Sequence, residues 1–144
     1  MKILVINGPN INMLGIREPG IYGSEDYAHL CSMITEHGKQ GGVQTEIYQS
    51  NHEGDLVDKI QQAYGNTDAI IINPGAYTHT SVALLDALKA VGIPAVEVHI
   101  SDPDTRENFR KISYVRLAAV KTIKGRGLQG YLDAMDYIVK EVTK

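Results

Sequence analysis

The sequence predicts an open, doubly wound parallel α/β sheet with helices on both faces, and two observations carry that prediction. Short apolar runs alternate with longer amphipathic ones along the whole chain, which is how strands linked by crossover helices read. Three of the apolar runs also break, at their C-terminal ends, into clusters of polar, reaction-capable residues. Ile3-Leu4-Val5-Ile6 enters Asn7-Gly8-Pro9-Asn10-Ile11-Asn12, Ala69-Ile70-Ile71-Ile72 enters Asn73-Pro74-Gly75-Ala76-Tyr77-Thr78-His79-Thr80-Ser81, and Pro94-Ala95-Val96 enters Glu97-Val98-His99-Ile100-Ser101. Ligands of open α/β sheets bind outside the carboxyl ends of the strands, where the strand order reverses. Three such ends describe one pocket rather than three loops.

Taken in order, strands are expected near 2–7, 43–49, 68–73, 94–98 and 115–120. Helices are expected near 25–38, 53–64, 80–91 and 128–142, with a shorter helical turn around 104–110. Gly38, Gly65 and Gly92 stand where left-handed helix caps are expected. Ser50-Asn51-His52-Glu53 has the spacing of a capping box, which makes His52 part of a helix start rather than a ligand. Five strands with these helices predict a flavodoxin-like sandwich of strand order 2-1-3-4-5, in which strands one and three flank the switch point. One connection is too long for a regular crossover. Ile11 to Ser24 contains Gly15, Arg17, Glu18, Pro19, Gly20, Tyr22 and Gly23, whereas two to six residues are usual. A lid over the pocket, spanning about 12–24 and hinged at glycines, is the expectation; an unstructured surface loop is the alternative.

Composition bounds the function. The 144 residues predict one catalytic domain, 1–144, and 43% hydrophobic with 22% charged residues is ordinary for a globular protein. A net charge of −3, with no block of Lys or Arg, gives no electrostatic case for a nucleic-acid partner. The single cysteine, Cys31, allows no intrachain disulfide and reads as part of a packed helix face. The opening apolar run is only a strand long, no run approaches the ~20 residues of a membrane span, and a cytoplasmic protein without membrane contact is expected.

Several chemistries drop out on motif grounds. Gly8-Pro9-Asn10-Ile11-Asn12 lacks dinucleotide spacing, no Walker lysine motif or G-x-S-x-G elbow occurs, and no Ser/Thr-rich loop suited to a flavin phosphate follows the first strand. His79 and His99 lack a third metal ligand at recognisable spacing, so no metal is expected. Acid–base chemistry remains. An ordinary phenol is ionised about one part in a thousand at neutral pH, a penalty of roughly 4 kcal/mol. Arg17, five positions from Tyr22, could remove much of it and make Tyr22 a base, since opposite charge lowers a pKa by about 1–3 units. Glu97 and His99 point to the same side of a strand. The carboxylate can therefore hold the imidazole protonated as a general acid; a core histidine satisfied by its neighbour is the bland alternative.

These residues fall within long, ordered motifs: NGPNINMLGIREPGIYG at 7–23, SNHEGDLVDKI at 50–60, INPGAYTHTSVALLDAL at 72–88 and EVHIS at 97–101, then Arg106-Glu107-Asn108-Phe109-Arg110. On them the chain resembles the type II 3-dehydroquinate dehydratases. The resemblance implies loss of water from 3-dehydroquinate to give 3-dehydroshikimate, without cofactor or metal, a step of both the shikimate pathway to aromatic amino acids and quinate breakdown. It implies Tyr22 as the base at C2 with Arg17 lowering its pKa, an enolate at the C3 carbonyl served by a water on Asn10, and His99, oriented by Glu97, as the acid for the C1 hydroxyl. It further implies Asn73, Ile100 and Ser101 as the substrate-carboxylate site and His79 and Arg110 as clamps on the ring hydroxyls. Asp86 would be supplied across a subunit contact, within trimers joined into dodecamers. Three positions depart from the family pattern: Lys121, Asp102 and Arg116 after Ser113-Tyr114-Val115. All three are expected to lie outside the chemistry. A binding module for a small polyhydroxy acid, without turnover, is the competing reading, and retention of both Tyr22 and His99 argues against it.

Overall fold

The computed structural model describes residues 1–16 and 25–142. They form a five-stranded parallel sheet in the order β2-β1-β3-β4-β5, with β1 at Lys2–Asn7, β2 at Gln44–Gln49, β3 at Ala69–Asn73, β4 at Ala95–His99 and β5 at Lys121–Lys124. The helices are α1, Tyr27–Gln40; α2, Glu53–Gln62; α3, Val82–Val91; and α4, Gln129–Tyr137, which continues as a π turn over Ile138–Val142. No helix among the described residues is long and apolar enough to cross a membrane.

Strand parity divides the core. Ile3 and Val5 of β1, Ala69 and Ile71 of β3, and Val96 and Val98 of β4 pack with Leu30 and Ile34 of α1 and Tyr131 and Met135 of α4. The intervening residues Leu4, Ile6, Ile70, Ile72 and Ala95 pack with Leu56 and Ile60 of α2 and Leu84 and Leu88 of α3. Strands covered on both faces must be apolar at every position, which is why β1 and β3 read as unbroken runs. Burying each Leu or Ile is worth about 1.5–3 kcal/mol. Glu97 and His99 share the parity of Ala95 and so project on the α3 side.

Helix starts follow local chemistry. The Asp26 carboxylate accepts from His29 N at 2.8 Å to open α1, and Ser81 Oγ accepts from Leu84 N at 3.0 Å to open α3. The capping box expected at Ser50 is not formed. His52 occupies the N-cap of α2 without a side-chain bond, while Ser50 Oγ accepts from His52 N at 3.0 Å and donates to Asp55 at 3.0 Å. Gly92 closes α3 in the left-handed region and Gly65 follows α2 with positive φ. Gly38, by contrast, lies inside α1, packed against Thr45 and Met135, and the helix runs on to Gln40.

Two further expectations are corrected. The helical turn near 104–110 is a pair of 3-10 turns, Pro103–Thr105 and Asn108–Lys111. The fifth strand lies at Lys121–Lys124, not 115–120, because Val115–Ala118 is a 3-10 turn. Val115 is fully buried against the α3-side core, which uses up the apolar signal that mimicked a strand. The true strand is short and lysine-bearing, as exposed sheet edges tend to be.

Candidate active site

The carboxyl ends of β1, β3 and β4 do converge. Asn7 pairs with Asn73 in the sheet register, and Gly8 N donates to the Asn73 carbonyl at 2.8 Å. A Cβ on Gly8 would stand 2.3 Å from the Pro74 carbonyl oxygen, and one on Gly75 would stand 2.9 Å from that of Pro9, at a φ of +60°. Only glycine lets these two loops interlock. Their closure turns Asn10 into the left-handed region, φ 70°, with its N–H donating to Asn51 Oδ1 at 3.1 Å. Asparagine is among the few residues that adopt this conformation readily.

The resulting cavity, of about 90 Å³, is lined by Asn10, Asn73, His79, His99, Ile100, Ser101 and Arg110, together with Arg106. Seven of the expected site residues are thus brought together, and Glu97 lies directly behind His99. Arg106, to which the sequence assigns no role, joins Arg110 in giving the cavity a cationic wall. Asp86 is exposed on α3 and does not line the cavity. Arg17 and Tyr22 lie outside the described residues. Of the expected lid, Asn12 and Met13 belong to the 3-10 turn Ile11–Met13, Leu14 after it is buried in the α1-side core, and residues 17–24 lie outside the described residues.

Glu97 and His99 form the centre of the site's hydrogen-bond network. His99 Nε2 is 2.8 Å from Glu97 Oε2. The Glu97 side chain is fully buried, and among the described residues its other partners are Thr78 Oγ1 at 3.1 Å, Ser113 Oγ, Arg116 Nε at 2.9 Å and Thr122 Oγ1 at 2.8 Å. Burial by itself would raise its pKa. The hydrogen bond and charge of His99, with the bonds of Ser113 and Arg116, outweigh burial and hold the carboxyl well below the usual carboxylate range. An ionised carboxylate only accepts, so Nε2 of His99 carries hydrogen and Nδ1 is the nitrogen left to serve the cavity. Arg116 therefore does not lie outside the site, as its departure from the family pattern led us to expect. The other two departures do: Asp102 accepts from Asp104 N at 3.0 Å and faces Lys124 at 3.6 Å, and Lys121 Nζ lies 5.8 Å from the Tyr137 ring centre.

His79 is set by the turn Gly75–His79. Its Nδ1 lies 2.6 Å from the Ile112 carbonyl, which can only accept, so Nε2 is the acceptor in the neutral ring. Burial lowers its pKa, and the Arg110 charge acts in the same direction. Asn73 donates from Nδ2 to Tyr131 Oη at 2.8 Å and accepts at Oδ1 from Gly75 N at 3.2 Å, which leaves one amide hydrogen for a ligand. Tyr131 Oη in turn donates to Asn7 Oδ1 at 2.6 Å. This buried network escaped sequence reasoning; the only trace of it is an asparagine at the end of each of two neighbouring strands. Burial pushes the Tyr27 phenol up to about 12 and raises that of Tyr131 as well. Among the described residues, no group of three or more His, Cys, Asp or Glu is placed to hold a metal ion.

Comparison with known proteins places this geometry in a family. A sequence model described as Dehydroquinase class II matches residues 1–139. A 3-dehydroquinate dehydratase of Lachnoclostridium phytofermentans is 56% identical over 140 residues, covering 96% of this chain and 97% of that one. A catabolic 3-dehydroquinase 2 of Neosartorya fischeri is 52% identical over 141 residues, covering 98% and 94%. The crystal structure of a type II dehydroquinase from Butyrivibrio crossotus superposes with a TM-score of 0.96 at 55% identity, covering 97% and 98%.

Proposed function

Since this chain belongs to the class II dehydroquinase family, and is thereby a lyase that dehydrates 3-dehydroquinate, we propose that it does so through an enolate, by anti elimination, with Tyr22 as base and His99 as acid. Tyr22 removes the C2 proton, and Arg17 stabilises its phenolate. The electron pair passes to the C3 carbonyl, where a water on Asn10 stabilises the developing oxyanion; dipoles placed at such a charge often contribute most to catalysis. Collapse of the enolate expels the C1 hydroxyl, which leaves as water with a proton from His99. The product is the conjugated enone 3-dehydroshikimate, and no cofactor takes part.

The observation that carries this reading is the buried Glu97–His99 pair, 2.8 Å apart, with His99 on the cavity wall. A carboxylate held ionised behind an imidazole fixes the ring's orientation and leaves Nδ1 to face the substrate, the placement an acid requires. Burial raises the pKa of the two described phenols bonded at the ends of β1 and β3, Tyr27 and Tyr131, and a base needs the opposite, which supports a base from outside that network such as Tyr22. In this reading Asn73 with the Ile100 and Ser101 amides holds the substrate carboxylate, aided by the cationic wall, and His79 and Arg110 hold the ring hydroxyls. Asp86 reaches the site of a neighbouring copy within a trimer, and trimers join into dodecamers. The exposed apolar residues Val82, Phe109, Ile112 and Leu117 give such an assembly surface to bury. The enzyme acts in the cytoplasm, in the shikimate pathway or in quinate breakdown.

Following the enone absorbance on addition of 3-dehydroquinate tests the activity. Steady turnover without added metal or cofactor supports the reading, and tight substrate binding without absorbance change would favour the binding module instead.

A further inference from the structure

Arg116 stands against the one carboxylate that holds the acid, and it occupies the side of that carboxylate opposite to His99. Its Nε donates to Glu97 Oε1 at 2.9 Å, while His99 Nε2 meets Oε2 at 2.8 Å. Thr122, the register partner of Glu97 on β5, shares Oε1 at 2.8 Å. Thr78 at 3.1 Å and Ser113 share Oε2. The Arg116 N–H further donates to Ser113 Oγ at 3.3 Å, which ties its own turn to the same cluster. The Glu97 side chain is fully buried, whereas that of Arg116 is 33% exposed.

We propose that Arg116 is a positioning residue for the acid step: by neutralising Glu97 from the far oxygen, it keeps the His99 proton available for transfer instead of locked in a tight ion pair. The reasoning is charge balance in a dry cluster. With Arg116 present, a protonated His99 brings the group Glu97, His99 and Arg116 to net +1. Without it the same protonation gives a neutral pair, and the proton is held more strongly. A general acid that holds its proton too strongly transfers it slowly. The bond to Oε1 also fixes the carboxylate plane, and with it the direction in which the imidazole faces the cavity.

Other charged groups face His99 and are part of the balance. Among the described residues they are Glu97 on its own strand, His79 from the turn after β3, and Arg106 and Arg110 from the turns after β4. Lys124, its register partner on β5, is engaged by Asp104 and lies 3.6 Å from Asp102. Of the described arginines and lysines, Arg116 is the one bonded to Glu97 itself.

This inference rests on His99 being the acid, and the experiment separates the two. Arg116→Gln and Arg116→Met, two neutral chains of similar length, are measured beside Arg116→Lys, with His99→Gln as reference. For the neutral variants the expected result is a kcat about five- to tenfold lower, a KM within about twofold, an alkaline limb of the kcat profile moved up by about one pH unit, and a larger solvent deuterium isotope effect on kcat. The Lys variant restores the limb and brings kcat to within about threefold of wild type, because it returns the charge. A filler role would lower activity or stability without moving the limb. The inference is overturned if the limb stays in place in the neutral variants, or if Lys is no better than Gln, while His99→Gln is inactive. Full activity in His99→Gln would instead overturn the functional reading on which the inference stands.

Discussion

Tyr131 Oη donates to Asn7 Oδ1 at 2.6 Å and accepts from Asn73 Nδ2 at 2.8 Å, so α4 ties together the ends of the two strands that flank the switch point. All three residues are buried, Tyr131 fully. The packing of α4 and the position of Asn73 in the cavity wall are therefore one structural fact.

Tyr131→Phe keeps the ring and removes the hydroxyl, leaving Asn7 and Asn73 short of a partner each. A buried polar group without its partner costs about 1–3 kcal/mol. Urea unfolding should show a loss in that range, and KM should rise because Asn73 is then held only by its bond from Gly75 N. Unchanged stability would mean that water enters and replaces the hydroxyl.

Acid sensitivity should trace to Glu97. Its carboxyl is held below its ordinary value of 4.5 in the folded chain, so the unfolded chain takes up the proton first as pH falls. The stabilisation it gives is complete above about pH 4.5 and is lost as pH falls towards the folded value, at up to about 1.4 kcal/mol per pH unit for one proton. Melting temperatures of wild type should drop between pH 5 and 3 more steeply than those of Glu97→Gln. Parallel slopes would assign the acid sensitivity to other carboxylates.

Much of this fold and site is legible in the amino-acid sequence. The doubly wound class follows from the alternation of apolar and amphipathic runs, the strand order from the flavodoxin-like pattern that five strands with these helices suggest, and the site from the polar clusters that end β1, β3 and β4. The pairing of Glu97 with His99 follows from strand parity alone. What stays hidden depends on contacts between distant segments. Val115–Ala118 reads as the start of a strand, but it is a 3-10 turn of which only Val115 is buried in the α3-side core, and that turn brings Arg116 to Glu97. Tyr131 meets Asn7 across nearly the whole chain, and no spacing rule reaches so far. Gly38 reads as a helix cap, yet its missing side chain serves the close packing of α1 on Thr45.

Tyr22→Phe should remove nearly all turnover while leaving ligand binding largely intact, because the ring still fits and the base is gone; such groups contribute roughly 10²–10⁴-fold. Arg17→Lys should be severely impaired too, since an ammonium cannot hold a phenolate and its neighbours as a planar guanidinium does. Steady-state kinetics paired with isothermal titration of an unreactive substrate analogue checks both. If Tyr22→Phe retains more than a tenth of kcat, the base is another group, and the acceptor nitrogen of His79 is the next to test.

Asp86 is exposed on α3 of its own chain and should complete the site of a neighbour. Asp86→Ala and Tyr22→Phe chains, each weak alone, should regain activity when refolded together, because some sites then pair an intact Tyr22 with an intact Asp86. No gain over the average of the parents, with mixed assembly confirmed by mass, would place Asp86 outside the shared site.

The most direct test of the acid assignment is His99→Gln, assayed by enone absorbance across pH with binding of a substrate analogue measured alongside. The ring nitrogen that serves the cavity is removed, while an amide remains to meet Glu97 and the cluster of donors around it. We predict analogue affinity within a few fold of wild type and kcat lower by roughly 10²–10⁴-fold at every pH, with the alkaline limb abolished. Retention of more than a tenth of wild-type kcat, with the limb still present, would contradict His99 as the acid.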